Sequence, residues 1–404
     1  MRVLYYAPEY YSQHGGRTHA REFFQAFRKL PGIEYVDVFP GNGGPEESGD
    51  SPPVRQNRLA LLPPACQRLI RMFKPHTHLR DRLERRIRRG RFDAVVMRMD
   101  TNIRLARTIK KYRPDVLLCI EINSAVFEES ITGIPFPRLW QAFEVGQYGY
   151  ADCVTVVSAY LKDSLCRRGM AHDKVLVNPN GVNPDLFRRG PGVDGGGIRR
   201  EFGIPLGAFV LGYVGGMEPF RRLPDVVETF AALRRKGNRD LFLFLVGDGR
   251  DLSGVQERIR AHRDVLDGSV SCRGRQPYER IPRILQTFDL AIYPFSNPYG
   301  SPQKLFEYLA VGVPTIGPDV PAVREVFTNG GHLRLVSQDG RDLAATILAM
   351  RHSPQQRRRL AESGRRHVLA HYTWRANAQR VLAHLRRTIA RRRTPVEEAP
   401  RPAR

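Results

Sequence analysis

The chain of 404 residues is too long for one ordinary core, so we expect two domains with additional tails. Hydrophobic residues make up 41% and charged residues 26%, a balance that excludes an intrinsically disordered chain. The formal net charge of +24 favours anionic partners such as nucleic acid, anionic lipid or phosphorylated substrates. A solvated, arginine-rich surface explains part of this charge, but it explains less well the clusters at 85–91, 357–359 and 386–393.

The cysteines and the apolar segments predict a cytoplasmic protein. The five cysteines are odd in number and no pair has C-x-x-C spacing, which argues against a disulfide framework and against a zinc site. The first residues, MRVLYYAPEY, do not resemble a signal peptide, because their apolar run is short and soon meets Glu9. No apolar stretch approaches the roughly 20 residues that span a bilayer. We therefore expect no transmembrane anchor, with peripheral attachment to the inner face of the membrane as an open alternative.

The first half of the chain alternates predicted strands and helices. Five short apolar segments have the length and composition of buried strands: 2–8, 35–40, 94–99, 116–121 and 153–158. Helical patterns separate them, the first near residues 18–30. This alternation is typical of a parallel sheet that is covered on both faces. We predict a Rossmann-like domain over residues 1–187, interrupted by a basic surface excursion at 41–92.

A second alternating series follows a glycine-rich linker that we predict at residues 188–200. Its apolar segments again have the character of buried strands: 209–215, 241–249, 269–274, 290–295 and 313–317. We predict a second domain over 201–371, a helix over 372–391 and a disordered tail over 392–404. The predicted fold class is α/β, with two doubly wound, Rossmann-like parallel sheets facing a cleft. Ligands of such folds bind where parallel strands end, so polar residues that follow strands are the site candidates.

The segment SPQKLFEYLAVGVPTIG, which begins at Ser301, predicts a helix followed by a strand. Ser301 is a suitable N-cap and Pro302 a suitable first helical residue. The amides of Gln303 and Lys304 then lack intrahelical partners and, with the helix dipole, suit a diphosphate. Glu307 lies one turn further along the same face, where a carboxylate suits the two hydroxyls of a ribose. The alternative is purely structural, a Glu307–Lys304 pair at i,i+3, and this segment alone does not decide between the two.

Two glycine pairs follow predicted strands. Gly15 and Gly16 lie between the first strand and the first helix, where glycine permits close approach of the backbone to a ligand. Their spacing is not G-x-G-x-x-G, so a dinucleotide fingerprint is absent, and a tight turn is the competing explanation. The second pair ends at Gly216, shortly before Arg221 and Arg222, whose guanidinium groups suit the outer phosphates of a nucleotide. An exposed basic loop is the competing explanation there.

Polar residues also end the strand near 116–121. Glu121 and Asn123 lie at its carboxyl end and are site candidates, although a solvated glutamate and a helix-capping asparagine would look the same. His19 flanks the first glycine pair, and a lone histidine is more often a surface or capping residue than a ligand. No D-x-D triplet occurs, and the isolated HTH at 76–78 is too weak a signal, so we expect no metal site.

Taken in order, eight segments resemble the retaining glycosyltransferases of the GT-B fold, the large family 4 group. They are HGGRTHA, VTVVSAYLKDSL, VNPNGVN, YVGGMEPFRRL, LFLVGDG, GRQPYERIPRILQTFDLAIYPF, SPQKLFEYLAVGVPTIG and YTWRANAQRVL. Each is loose by itself, but together they cover most of the chain in the family's order. The resemblance implies transfer of a sugar, with retention, from a nucleoside diphosphate sugar to the hydroxyl of a glycan or lipid-linked acceptor. The pathway implied is glycan, polysaccharide or glycolipid biosynthesis, without a metal or other cofactor.

The resemblance also implies roles for the residues that carry it. The implied donor-binding residues are Gly15, Gly16, Gly216, Arg221, Arg275, Ser301, Gln303, Lys304, Leu305 and Glu307. Among them, Glu307 matches the family's ribose-binding glutamate, the amides of 303–305 match its diphosphate cradle, and Gly15 and Gly16 match the loop that covers the phosphates. Arg221 lies near the family's basic diphosphate ligand, which is usually Lys, and Arg275 lies in the turn beside the base.

The implied catalytic residues are Arg221 and Lys304, which offset phosphate charge, and Glu121, which binds hydroxyls of the acceptor or of the donor sugar. His19 and Asn123 are the acceptor-side candidates. No enzyme nucleophile is evident, so the family expectation is a same-face mechanism in which the leaving phosphate helps to deprotonate the acceptor. The chain departs from the family at Tyr299, where a second glutamate is common, and at Gly216, where arginine is usual. Both departures concern donor contacts.

Three further interpretations stay open at this stage. A sugar-nucleotide epimerase of the same fold would use the same donor without an acceptor. A basic nucleic-acid-binding protein would explain the charge, although no nucleic-acid motif is present and aromatic residues are not interleaved with the arginine clusters, so we expect no nucleic-acid partner. The basic segment 55–91 suits docking on an anionic membrane, and an idle basic surface is equally consistent with it.

Overall fold

The computed structural model describes residues 1–11, 16–39, 77–98, 105–124, 137–188 and 195–393. The chain divides into two units. Unit 1 comprises Met1–Asn178 together with Asn377–Arg404, and unit 2 comprises Pro179–Ala376. Each unit contains one six-stranded sheet in which every neighbouring pair of strands is parallel. The predicted fold class of two parallel, Rossmann-like sheets is therefore confirmed.

The sheet of unit 1 has the order β2-β1-β3-β4-β5-β6. Its strands are β1 (Arg2–Tyr6), β2 (Tyr35–Phe39), β3 (Ala94–Arg98), β4 (Leu117–Ile122), β5 (Cys153–Val156) and β6 (Val175–Val177). Its helices are α1 (Gly16–Phe27), α2 (Thr77–Arg89), α3 (Leu105–Tyr112), α4 (Pro137–Tyr148) and α5 (Ala159–Arg167). All residues of β3, β4 and β5 are buried, as expected for central strands covered on both faces.

The sheet of unit 2 has the order β12-β11-β10-β7-β8-β9. Its strands are β7 (Phe209–Val214), β8 (Leu241–Val246), β9 (Val270–Arg273), β10 (Leu290–Ile292), β11 (Thr315–Pro318) and β12 (Arg334–Val336). The helices before β10 are α6 (Gly195–Glu201), α7 (Leu223–Arg235), α8 (Leu252–Ala261), α9 (Arg263–Leu266) and α10 (Ile281–Leu285). Those after it are α11 (Gln303–Val311), α12 (Pro321–Arg324), α13 (Leu343–His352), α14 (Pro354–His371) and α15 (Trp374–Arg393).

Local chemistry explains several element boundaries. Helix α5 begins after Ser158, whose hydroxyl accepts a hydrogen bond from the Leu161 amide at 3.3 Å. Helix α11 ends at Gly312, which has the left-handed φ of 81° that glycine tolerates. A Cβ atom at Gly247 would lie 1.9 Å from the carbonyl oxygen of Gly215, so glycine is needed where the loops after β7 and β8 meet.

The domain boundaries differ from the predicted ones. Unit 1 ends at Asn178 and not at 187, because the contacts of the residues that follow are made within unit 2, as in the hydrogen bonds from the backbone and side chain of Asn180 to Ser301. The predicted linker at 188–200 is partly wrong, since residues 195–201 form α6 and bury Ile198. The helix predicted over 372–391 is α15, whose residues from Asn377 onward belong to unit 1. The tail beyond residue 393 and most of the basic excursion, residues 40–76, lie outside the described residues.

Candidate functional site

The sheet topology singles out the carboxyl ends of β7 and β10 in unit 2. These strands are neighbours in the sheet, but the chain continues from β7 to β8 on one side and from β10 to β11 on the other. Such a switch point leaves a crevice outside the strand ends, and it is where doubly wound sheets bind ligands. The loop 215–222, the loop 293–302 and the start of α11 follow these strands.

The first turn of α11 differs from the prediction in two respects. The helix begins at Gln303 after Pro302, and no side chain caps it, so the predicted capping role of Ser301 is wrong. The Leu305 amide donates to the Pro302 carbonyl at 3.0 Å and is not available to a ligand. The amides of Gln303 and Lys304 precede this bond, at the positive end of the helix.

Ser301 instead holds the turn formed by Asn180 and Gly181. Its hydroxyl accepts a hydrogen bond from the Asn180 amide at 3.0 Å, and its carbonyl accepts one from Asn180 Nδ2 at 2.6 Å. A Cβ atom at Gly181 would lie 2.8 Å from the backbone of Thr373, so that turn also packs closely against the segment that precedes α15. Ser301 therefore fixes the approach of the chain to α11 without capping the helix.

Glu307 is fully buried in the second turn of α11, and its carboxylate collects three donors. Oε1 accepts from Gln303 Nε2 at 2.8 Å and from the Tyr278 hydroxyl at 3.0 Å. Oε2 accepts from Lys304 Nζ at 2.6 Å, and the Lys304 side chain is 23% exposed. The i,i+3 pair that the sequence left open therefore exists. It does not exclude a ligand, because Lys304 is partly exposed and the amides of Gln303 and Lys304 lie one turn before Glu307 in the helix.

Tyr278 is a member of this group that the sequence did not single out. It lies in the short 3-10 turn Tyr278–Arg280 that follows β9, and the Lys304 ammonium lies 5.6 Å from the centre of its ring. Its ring packs against that of the buried Phe187, with the two ring centres 5.4 Å apart. In the sequence, this tyrosine is marked only by its place in the family-like segment GRQPYER, and no local pattern indicates that its side chain reaches α11. Arg275, in the same loop, is exposed.

The adjacent Arg221 and Arg222 have different environments. Arg221 stacks against Tyr293 with its guanidinium 4.4 Å from the ring centre, and Nη1 donates to Ser296 Oγ at 2.9 Å. Within the described residues its charge has no carboxylate partner. Arg222 adopts a left-handed φ of 47° and pairs with Asp225, with Nε to Oδ2 at 2.7 Å. The structure therefore leaves Arg221, and not Arg222, as the cation available at this strand end.

Gly216 and Tyr299, at which the chain departs from the family pattern, lie in different surroundings. Gly216 is exposed, its φ is not in the left-handed region, and a Cβ atom there would meet no atom within 4 Å. Its carbonyl accepts a hydrogen bond from the Tyr213 hydroxyl at 2.7 Å. Tyr299 is 5% exposed in the loop that leads to α11. A larger side chain would thus fit at Gly216, whereas Tyr299 is part of the packed loop.

In unit 1 the candidate residues converge on Glu121, at the end of β4. Its side chain is 10% exposed, and its Oε1 atom is the point of contact. His19 Nε2 lies 2.5 Å away, Asn123 Nδ2 donates at 3.0 Å and Arg98 Nη1 donates at 3.1 Å. The structure therefore brings His19, from the first helix, into contact with Glu121, beside Asn123 at the end of β4. Of the glycine pair nearby, Gly16 opens α1, and Gly15 lies outside the described residues.

Arg98 and Glu9 complete this cluster and were missed by sequence reasoning. Arg98 is the last residue of β3, and its Nε donates to Glu9 Oε2 at 2.8 Å. Glu9 lies in the 3-10 turn Pro8–Tyr11 that follows β1. Because β1 and β3 are neighbours in the sheet at which the chain changes direction, these residues lie at the switch point of unit 1. The available signal was an arginine inside the apolar run AVVMRM.

The electrostatics keep Glu121 ionised despite its burial. Burial by itself would raise the pKa of Glu121, but the neighbouring His19 and Arg98 lower it to about 2. Burial would likewise lower the pKa of Arg98, and the groups around it, chiefly Glu121, raise it above its ordinary value. A carboxylate in this state acts as a hydrogen-bond acceptor and not as an acid at neutral pH.

We expect Glu121 to make the stability of the protein acid-sensitive. Because the folded-state pKa of about 2 lies below the ordinary value of 4.5, the stabilisation is complete above pH 4.5 and is lost as the pH falls towards 2. On acidification, the free energy of unfolding should therefore fall further in the wild type than in Glu121→Gln. The extra loss in the wild type should be on the order of 3 kcal/mol. Urea unfolding of both proteins at a series of pH values measures this difference. If the wild type and Glu121→Gln differed in free energy of unfolding by the same amount at pH 3 and at pH 7, the prediction would be contradicted.

The described residues contain no group of three or more His, Cys, Asp or Glu side chains arranged to hold a metal ion. Nor does any described helix combine the length and apolar character that crossing a bilayer requires.

Two family models match the two halves of the chain. The model described as Glycosyltransferase Family 4 matches residues 14–186, and the model described as Glycosyl transferase-like matches residues 232–383. The first contains the Glu121 cluster except Glu9, and the second contains Tyr278 and Glu307. Arg221 and Gly216 lie between the two matched regions.

Curated relatives and a solved structure agree with these models. The D-inositol 3-phosphate glycosyltransferase of Stackebrandtia nassauensis is 28% identical over 241 residues, 56% of this chain and 53% of that protein. The lipopolysaccharide 1,6-galactosyltransferase of Escherichia coli is 26% identical over 231 residues, 53% of this chain and 59% of that protein. The chain thus spans about half the length of the curated relatives that it matches.

HepE of Anabaena, solved in complex with UDP, superimposes on the chain with a TM-score of 0.72. The identity is 14%, and the alignment covers 96% of this chain and 100% of that one. The same protein has been solved with UDP-glucose. At this identity the likeness concerns the fold alone. Together, the matched family models and the two parallel Rossmann-like sheets show that this chain belongs to the family 4-like glycosyltransferases of the GT-B fold.

Proposed function

We propose that this protein transfers a sugar, with retention of anomeric configuration, from a nucleoside diphosphate sugar to an acceptor hydroxyl. The observation that carries the proposal is the start of α11. There the amides of Gln303 and Lys304, which have no hydrogen-bond acceptor within the described residues, lie one turn from the buried carboxylate of Glu307. Helix N-terminal amides suit the diphosphate and a carboxylate suits the ribose hydroxyls. The HepE complexes with UDP and UDP-glucose make a uridine nucleotide the first donor to test.

In this mechanism the protein's main task is to stabilise the leaving diphosphate. Arg221, Lys304 and the first amides of α11 supply positive charge and hydrogen bonds without a metal ion. The diphosphate then leaves from the same face on which the acceptor hydroxyl attacks, and its oxygen takes the acceptor proton. The new bond joins the anomeric carbon to the acceptor oxygen, and no covalent intermediate with the enzyme is needed.

Glu121 binds a hydroxyl of the acceptor or of the donor sugar. Its carboxylate is ionised, so it accepts a hydrogen bond from an O–H group and repels a second carboxylate or phosphate. His19 and Asn123 hold the other side of that carboxylate. The acceptor is then a hydroxyl-rich glycan or a lipid-linked sugar, and the product belongs to glycan, polysaccharide or glycolipid biosynthesis.

A binding and turnover screen tests the proposal. The purified chain is mixed with UDP-, GDP-, ADP- and TDP-sugars, and thermal stabilisation and slow release of the nucleotide are recorded. We expect one nucleotide class to stabilise the chain and to be hydrolysed. Stabilisation by none of them would contradict the proposal, and interconversion of one sugar nucleotide into another would indicate the epimerase instead.

We further propose that the basic segment 55–91 docks on an anionic membrane. Residues 55–76 lie outside the described residues, so the argument rests on α2. Leu83 and Ile87 point into unit 1, whereas Arg85 and Arg89 are exposed and have no ion-pair partner within the described residues. Guanidinium groups displayed on one face in this way suit anionic phospholipid headgroups.

Vesicle sedimentation measures the docking. We expect the wild type to bind vesicles that contain phosphatidylglycerol, less so at high salt, and not to bind pure phosphatidylcholine. Arg85→Ser with Arg89→Ser should weaken binding, while Arg358→Ser with Arg359→Ser, an equal change of charge in unit 2, should not. Equal weakening by both pairs would indicate net charge alone, and no binding by the wild type would refute the docking.

A further inference from the structure

Arg98 is a buried charge at the switch point of unit 1. Its side chain is 5% exposed at the end of β3, between the neighbouring strands β1 and β4. A guanidinium group in such a position is costly unless carboxylates and hydrogen bonds compensate it. The other residues of β3 are apolar and buried.

The contacts of Arg98 connect three separate segments of the chain. Nε donates to Glu9 Oε2 at 2.8 Å, and Nη1 donates to Glu121 Oε1 at 3.1 Å. Glu9 in turn packs against the start of α1, since a Cβ atom at Gly16 would lie 3.2 Å from its side chain. Arg98 therefore ties β3 to the carboxyl end of β4 and, through Glu9, to the first turn of α1, which also carries His19.

These contacts involve only one of the two carboxylate oxygens of Glu121. Arg98, His19 and Asn123 all converge on Oε1, whereas Oε2 is buried and has no hydrogen-bond partner within the described residues. Asn123 Oδ1 is buried and unpartnered in the same way. Both residues line one small cavity of unit 1, together with His19, Thr155, Asn178 and Asn377. Two acceptor atoms without donors call for a ligand that brings O–H groups.

We propose that Arg98 is a positioning residue for the hydroxyl that Glu121 binds. By holding Oε1, Arg98 prevents rotation of the carboxylate and presents Oε2 to a substrate hydroxyl. Through Glu9 it also holds the first turn of α1 in position beside Glu121. This inference rests on the proposed sugar transfer. Lysine cannot replace arginine here, because only the guanidinium fork offers two N–H groups in fixed directions to two carboxylates.

A purely structural role predicts a different outcome and needs a matched control. The pair of Lys110 and Asp152 provides it, with Nζ and Oδ2 2.6 Å apart and side chains 16% and 17% exposed. Lys110 Nζ also donates to the Val116 carbonyl at the opposite, amino edge of the same sheet. Lys110→Met should cost stability without altering the Glu121 cluster.

The first test is structural and does not depend on activity. Crystal structures of Arg98→Lys, of Arg98→Met combined with Glu9→Gln, and of Lys110→Met are compared with the wild type. The double variant neutralises the Glu9 carboxylate at the same time as it removes the guanidinium, which leaves the net charge unchanged and helps the protein to fold. We expect the Glu121 carboxylate to rotate in both Arg98 variants and to stay in place in Lys110→Met. An unchanged Glu121 in Arg98→Lys and in the double variant would overturn the proposal.

The second test is kinetic. With a nucleotide sugar that the wild type hydrolyses, Arg98→Lys should lower kcat by about 10²-fold and leave the affinity for the free nucleotide unchanged. In Arg98→Ala, added guanidinium ion at non-denaturing concentration should restore part of the rate, which a protein that is merely destabilised would not show. Loss of rate and nucleotide affinity together, or no rescue, would contradict a positioning role. Failure of the wild type to bind any nucleotide would instead refute the proposed function, and the crystal structures would still decide whether Arg98 orients Glu121.

Discussion

Replacing Glu307 with alanine is expected to abolish stabilisation of the protein by its nucleotide sugar. The carboxylate is fully buried and holds Gln303, Lys304 and Tyr278, so its loss removes the proposed acceptor for the ribose hydroxyls and frees the groups that shape the site. A structural cost accompanies this loss. Leaving the three donors without an acceptor should lower the free energy of unfolding by on the order of 2 kcal/mol.

The geometry of Glu307 makes the expectation more specific. A carboxylate offers about four lone-pair directions, and three of them are occupied in this structure. Two ribose hydroxyls would therefore displace one donor, and Lys304 is the one that can move, because its side chain is 23% exposed. Lys304 would then turn from Glu307 towards the diphosphate. Lys304→Met should weaken nucleotide binding if this exchange occurs, and should leave it unchanged or stronger if Lys304 only blocks Glu307.

Calorimetric titration of the nucleotide into Glu307→Ala, Glu307→Gln and Lys304→Met provides the measurement. Asp289→Asn serves as the control, because Asp289 binds the Val210 amide and Arg199 at the amino edge of the sheet in unit 2. We expect it to lose stability and to retain the nucleotide affinity. Wild-type affinity in folded Glu307→Ala would show that the carboxylate is structural only.

Replacing Arg221 with alanine is expected to lower the rate of sugar transfer by about 10²–10³-fold, the usual effect of removing one preorganised group that stabilises developing charge. Its guanidinium is held by Tyr293 and Ser296 without a carboxylate partner within the described residues, so its charge is available to the diphosphate. Its neighbour Arg222 is neutralised by Asp225 and lies 4.3 Å from the ring centre of Phe295.

The adjacent residue supplies the matched control for Arg221. Arg222→Gly removes the same charge but relieves the left-handed backbone at φ 47°, so we expect a folded protein with a rate close to that of the wild type. Steady-state assays of both variants with varied nucleotide sugar separate kcat from KM. Equal losses in the two variants would mean that the loop needs positive charge in general and would contradict a specific role for Arg221.

The alternation of apolar segments predicted five of the six strands in each sheet and missed the short edge strands β6 and β12. A continuous apolar run predicts a buried parallel strand. The predicted segments agree to within two residues with, or enclose, the observed strands β1, β3, β4, β7, β8 and β10. The grouping of Gln303, Lys304 and Glu307 was equally accessible, because spacings of one to four residues on a helix fix which side chains are neighbours. These features depend on local sequence, and so the sequence by itself determined them.

The tertiary structure decided which of the charged residues have partners. Arg221 and Arg222 are adjacent and chemically identical, but only Arg222 meets an aspartate. Arg98, Glu9 and Glu121 lie far apart in the chain and meet because β3 lies between β1 and β4 in the sheet. Tyr278 reaches Glu307 across a loop, and Ser301 binds Asn180 instead of capping α11. No local pattern encodes these pairings, because strand order and the packing of loops over strand ends determine them.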